Sequence, residues 1–260
     1  MSLSRVIAFP ILTSLLLTVV TAASAQGQAR SFKQGKWALA FYMGRSWGHS
    51  RDALLAALRA GGFNDSYTCF VLCSGTSNYP QSANLLVSGT WVARRTLRGP
   101  IRLRAELGGS QLSGATGLRV VGGELGFLTM IHEAAGLSAM AEISHPSGVG
   151  PWIAGGLSVL KVGFNTFSLR SFQLKVSGDQ STFRLSPAIA AGLAIPIARK
   201  WYLDAKMHYW LMGASETEAL TVTTTGGTFV GQIPPVRTNA SHFGLMIGAG
   251  YVWGFDKAKP

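Results

Sequence analysis

Near the C-terminal end of the chain, apolar side chains fall on every second position: Phe243, Leu245, Ile247, Ala249, Tyr251, Trp253 and Phe255. Between them stand Gly244, Met246, Gly248, Gly250, Val252 and Gly254. A strand sends successive side chains to opposite faces, so this segment predicts one apolar face with an aromatic end and one nearly bare face. A soluble sandwich strand turns its apolar face to a core and its polar face to water. The bare face here offers space instead, as the crowded interior of a small barrel requires.

The same period recurs upstream. In Lys36–Ser46, Trp37, Leu39, Phe41 and Met43 alternate with Ala38, Ala40, Tyr42 and Gly44. Asn84–Arg95 alternates less cleanly. Ile101–Gly109 sets Ile101, Leu103, Ala105 and Leu107 against Arg102, Arg104, Glu106 and Gly108, and Lys200–Met212 repeats that design. Phe183–Ile197 is regular, with Pro187 on its apolar face, whereas Lys161 interrupts the alternation of Trp152–Phe164. Leu137–Ser144 gives a fourth strand. The glycine-rich run Val121–Ile131 before it either extends that strand or forms a hairpin of its own, so the count is eight strands or ten.

Short turns join strands two and three, four and five, and six and seven; longer polar segments join one and two, five and six, and seven and eight. Short periplasmic turns with longer external loops are the rule for transmembrane barrels, so both termini are expected on the short-turn side. The first long connection predicts a helix, with Ser50 as its N-cap, Asp52 in the first turn, and Leu54, Leu55 and Leu58 on one side before Gly61-Gly62.

Targeting and composition turn this pattern into a membrane reading. Arg5, an apolar run from Val6 to Val20 and Ala23-Ser24-Ala25 read as a secretory signal peptide over 1–25. The expected organisation is then a lead-in at 26–35, a barrel at 36–255 and a tail at 256–260. The chain is 47% hydrophobic and only 13% charged, with mean hydropathy +0.26. No other segment has the ~18 apolar residues of a membrane helix. Strands can cross a bilayer only as a closed ring, which satisfies every backbone group. The fold class predicted is therefore all-β: a closed antiparallel transmembrane β-barrel.

The formal charge of +12 falls to +11 without Arg5. The basic residues are scattered rather than gathered in a stripe, which argues against nucleic acid and points to anionic headgroups and lipopolysaccharide phosphates as partners. Cys69 and Cys73 lie in a polar stretch and predict a local disulfide in an oxidising compartment.

Parity sends Arg102, Arg104, Glu106, Glu142, Asp204, Lys206, His208 and Arg184 into the lumen. Buried charges have to be paired, and eight strands leave room for side chains and little else. An ion-paired plug is thus expected over a solute-guiding lining. Trp37, Trp201, Tyr251, Trp253 and Phe255 stand at strand ends, as an interface girdle would. Gly44-Arg45-Ser46-Trp47-Gly48 matches G-x-S-x-G, but no strand–helix alternation supports a nucleophile elbow. His132-Glu133 lacks the second histidine of a zincin helix, since position 136 is glycine. His242 with Ser241, or His132 with Glu124, would be the elements of an acyl hydrolase at the outer leaflet. No cofactor or metal is predicted.

With its export signal, amphipathic strands and closing Tyr251-Val252-Trp253-Gly254-Phe255, the mature chain resembles the small bacterial outer-membrane β-barrel superfamily of OmpA- and OmpX-like proteins. It departs from that pattern by adding Asp256–Pro260 after Phe255. The resemblance implies outer-membrane residence and a terminal strand read by the barrel-assembly machinery. The function expected is non-enzymatic: envelope integrity, surface interaction or narrow permeation of small solutes. The alternatives are an outer-membrane lipid-modifying enzyme and a soluble lipocalin-like binder, which would carry the opposite polarity.

Overall fold

Alternation carries through the computed structural model, which describes residues 35–48, 50–65, 83–96, 99–122, 124–145, 150–169, 174–178 and 180–254. The proposed signal peptide, Cys69, Cys73 and Phe255 lie outside the described residues. Eight long strands form one antiparallel sheet: β1 (Trp37–Trp47), β2 (Ala83–Thr96), β3 (Gly99–Val121), β4 (Glu124–Ser144), β5 (Gly150–Leu169), β6 (Ser181–Pro196), β7 (Trp201–Trp210) and β8 (His242–Trp253). Each strand pairs with its sequence neighbour, and β1 pairs with β8 from Trp37↔Trp253 to Trp47↔Phe243. That last ladder closes the ring and removes the free edges an open sheet would expose.

Polarity is inverted relative to a soluble protein. On the outer face Leu103 is 50% exposed and Ile247 67%, whereas inward-facing Arg104 is 4% exposed and Lys206 0%. An apolar exterior around a charged interior is stable only in an apolar solvent, which excludes the lipocalin-like reading. Among the described residues no helix is long and apolar enough to cross a membrane; the strands do the crossing.

In the ambiguous stretch before Ser144, Val121 ends β3 and Glu124–Ser144 is the single strand β4, so the barrel has eight strands rather than ten. β3 extends far beyond the predicted Gly109. Its ladder with β4 shifts register between Gln111 and Ser113. One inserted residue exchanges the two faces of a strand. Before the bulge the buried positions are even (Arg104, Glu106, Ser110); beyond it they are odd (Ser113, Ala115). Simple alternation cannot be followed through such a point. In β5, by contrast, the alternation is intact: Ser158, Leu160 and Val162 are buried, and Lys161 lies outward beside Val159.

β3, β4 and β5 have 23, 21 and 20 residues, against 11, 10 and 12 for β1, β7 and β8. Roughly 9–11 residues span a bilayer, so these three strands rise past the membrane as a wall. The long connections fold against it. α1 (Arg51–Ala60) buries Leu54 and Leu58. Residues 174–177, 220–224 and 229–233 form a three-stranded sheet, and 214–216 pairs with 237–239. Ser50 stands at the N-cap of α1, but its hydroxyl makes no cap bond. It pairs instead with the Ser113 hydroxyl on the barrel wall, fixing the helix to β3.

Candidate functional site: a charged barrel lumen

The inward faces of β3, β4 and β7 bring six charges to one level. Glu142 accepts from Arg104 Nε at 2.7 Å and from Arg102 Nη1 at 3.1 Å. Glu106 accepts from Arg104 Nη1 at 3.1 Å and pairs with Lys206. Asp204 is held by neutral donors, Tyr42 Oη at 2.6 Å and Trp152 Nε1 at 3.0 Å. The Arg104 guanidinium, bonded also to Ser88 Oγ at 3.0 Å, lies 4.0 Å over the Trp152 ring. Three cations therefore meet three carboxylates, and the belt is formally neutral. Charge-assisted bonds of this kind are roughly twice as strong as neutral ones and hold their partners in fixed geometry.

Glycines make room for the belt. On the inner face of β8, a Cβ at Gly248 would strike the Tyr42 ring, one at Gly250 the Tyr202 ring, and one at Gly244 the His208 ring. The bare face read from the sequence is thus filled by aromatic side chains from β1 and β7. Parity alone does not single out Tyr42, Ser88 and Trp152 as members of the network. The glycine opposite Tyr42 in the β1–β8 ladder, Gly248, is the signal that could have found it.

Two predicted members stand apart. His208 is buried but faces His242, with Nε2 atoms 3.4 Å apart and rings at 88°. Arg184 is half-buried and donates to the Met212 carbonyl at 3.4 Å. His132, fully buried, stacks on Phe164 at 4.4 Å, and among the described residues neither ring nitrogen has a hydrogen-bond partner. An unsatisfied buried polar group costs about 1–3 kcal/mol. We therefore expect His132→Phe to leave the barrel at least as stable as wild type in urea titrations from lipid vesicles; a loss above about 1 kcal/mol would show that the imidazole does more than fill space.

Above the histidines the described loops pack on the barrel wall. Leu54, Leu58 and Phe63 from the first loop meet Leu128, Met130 and Phe164 of the wall and Leu220, Val222 and Ile233 of the last loop in one apolar cluster. The candidate elbow serine, Ser46, donates to the Gln111 carbonyl at 2.8 Å and accepts from Ser110 at 2.9 Å, two bonds that tie it to the β3 wall. Among the described residues, no group of three or more His, Cys, Asp or Glu is placed to hold a metal.

At the short-turn end a pocket opens onto Arg102, Arg104 and Glu142. Around that rim Trp37, Trp201 and Trp253 are exposed and Tyr251 is partly so, with Trp37 tilted against Trp91 at 6.0 Å and Trp201 edge-on to Tyr251 at 4.9 Å. Four of the five aromatics expected in a girdle therefore stand at this rim, with Trp91 beside them; the fifth, Phe255, lies outside the described residues.

No protein-family model matches the chain, and no curated protein sequence does. Among solved structures, Neisserial surface protein A (NspA) is similar at TM-score 0.42 and 12% identity, over 84% of this chain and 98% of that one. The outer membrane protein AlkL, solved in lipid bilayers, is similar at TM-score 0.40 and 16% identity, over 88% and 95%. OprG from Pseudomonas aeruginosa gives TM-score 0.40 and 10% identity, over 85% and 97%. On its own closed ring, inverted polarity, aromatic girdle and two unequal ends, the chain is an eight-stranded transmembrane β-barrel of the outer-membrane type.

Proposed function

We propose that this protein is a non-enzymatic, non-conducting barrel that anchors a folded loop assembly at the outer surface of the envelope. The observation that supports this reading is the double closure of the lumen, by the neutral ionic belt and by the apolar cluster beneath α1. A pore needs a continuous wet path, whereas here charges are spent on one another and the mouth is dry. The long strands β3, β4 and β5 then serve as a rigid mast for the loops, suiting a role in surface interaction or envelope structure.

In this placement the short turns face the periplasm, and the aromatic end of β8 is what the barrel-assembly machinery reads. At the loop end, Arg45 and Lys161 project from the outer face and would meet lipopolysaccharide phosphates. A lipid-modifying enzyme has less support, because hydrogen bonds to Gln111 and Ser110 hold Ser46 against the β3 wall.

Planar bilayers test the proposal. Purified protein should give no discrete conductance steps. Arg102→Gln with Asp204→Asn, which loosens the belt beneath an unchanged lid, should stay closed as well. Ion-selective steps in the wild type, altered by those two substitutions, would convert the belt from a plug to a selectivity filter and replace this function with narrow permeation.

A further inference from the structure

The sequence carries a large positive charge without saying which surface bears it; the fold does. The belt is neutral. At the loop end exposed charges of both signs occur, Asp52, Glu216 and Glu218 beside Arg59, Lys175 and Arg237. The short-turn rim differs. Lys36, Arg94, Arg95 and Arg199 are exposed there and Lys200 is half-exposed, while the nearby carboxylates Glu142 and Asp204 are buried in the belt.

Backbone bonds bind this collar together. Lys36 N–H donates to the Gly254 carbonyl at 3.1 Å, Val92 N–H to the Lys36 carbonyl at 2.9 Å, and Val252 N–H to the Lys200 carbonyl at 2.9 Å. Each basic segment also adjoins the girdle. Lys36 precedes Trp37, Lys200 precedes Trp201 with Nζ 5.9 Å over the Tyr251 ring, and Arg94 and Arg95 follow Trp91. Girdle aromatics mark the depth of lipid headgroups, and cations one to four residues beyond them stand at phosphate level, within snorkelling reach.

We propose that this collar is a binding surface for anionic phospholipids of the leaflet at the short-turn end, recognising the phosphodiester of lipids such as phosphatidylglycerol over zwitterionic ones. Adjacency to the girdle favours a lipid over a soluble polyanion, since the charges lie against the bilayer rather than out in the solvent. The inference rests on the transmembrane placement proposed above, but not on the closed lumen or on which compartment the end faces.

Tryptophan quenching by brominated lipids tests it, because four of the tryptophans lie in or beside the collar. In phosphatidylcholine vesicles, brominated phosphatidylglycerol should show an apparent association at least about fivefold stronger than brominated phosphatidylcholine. The variant Arg94→Gln, Arg95→Gln, Arg199→Gln, Lys200→Gln should lose that preference. The variant Arg45→Gln, Lys161→Gln at the other end should keep it. Equal quenching by both lipids in the wild type overturns the proposal, as does a preference that survives the collar variant or vanishes in the other. If the collar variant does not refold, the wild type decides alone: the preference must collapse at molar salt. Micellar protein that shows no lipid preference but sediments with purified cell-wall sacculi in a salt-sensitive way would give the collar to cell-wall carboxylates and sink the lipid assignment. Conductance is unaffected by any of these results, so failure here is distinguishable from failure of the sealed-lumen reading.

Discussion

Arg104→Met is expected to destabilise the barrel by about 3–5 kcal/mol, the range for removing one partner from a buried ionic group. Arg104 is the hub: it bonds Glu142, Glu106 and Ser88 and covers the Trp152 ring. Without it two cations face three carboxylates in a largely buried space. Equilibrium unfolding from vesicles in urea measures the loss. A cycle with Glu106→Leu and Lys206→Met locates its origin. Those residues are bonded to one another, so the double substitution should cost clearly less than the two singles together. Additive costs, or an Arg104→Met barrel as stable as wild type, would mean that the belt is solvated and that the lumen is not sealed where the structure seals it.

Gly248→Val is expected to prevent refolding into vesicles. Its Cβ would meet both the Tyr42 ring and the Phe41 carbonyl, and the backbone of β1 cannot retreat without breaking the ladder that closes the ring. Overpacking of this kind costs about 1–3 kcal/mol where neighbours can relax, and more where they cannot. Gly89→Val is the control, since a Cβ there meets nothing within 4 Å. It should refold with stability within about 0.5 kcal/mol of wild type, as surface substitutions do. The heat-dependent gel mobility of folded barrels reads both. Equal tolerance at the two glycines would mean that the tyrosines are not held against β8.

Lumen and exterior were separable from the chain alone because a regular strand has a period of two. Leu103 and Arg104, Leu203 and Asp204, and Ile247 and Gly248 fall on opposite faces wherever the ladder is unbroken. The same arithmetic placed the belt cations and carboxylates together without knowledge of any distance. It failed beyond Gly109, where the bulge between Gln111 and Ser113 exchanges the faces of β3. It also gave no sign that Lys161 belongs to a regular strand, since a cation on an apolar face looks like an interruption until the strand is seen to lie near the membrane's edge.

Within the lumen, parity could say only that His208 and Arg184 point inward, not at what height. The stagger of the strands sets height, and that stagger is a property of the closed ring. Arg104 and Glu142 share a level and bond, while His208 lies further along β7, opposite His242. Helix α1 was predicted as an element from its own spacing, but the cap expected of Ser50 became a bond to Ser113, a partner 63 residues away.

The amino-acid sequence by itself determined the class of solvent this protein requires, because face alternation with apolar side chains outward is a local property, repeated strand by strand. It determined the sign and size of the net charge for the same reason: charges add without regard to position. Which carboxylate neutralises which cation, where the basic residues collect, and whether loops close the mouth were decided only in the tertiary structure. Those outcomes depend on strand register and on contacts between segments far apart in the chain, and ring closure sets them all at once.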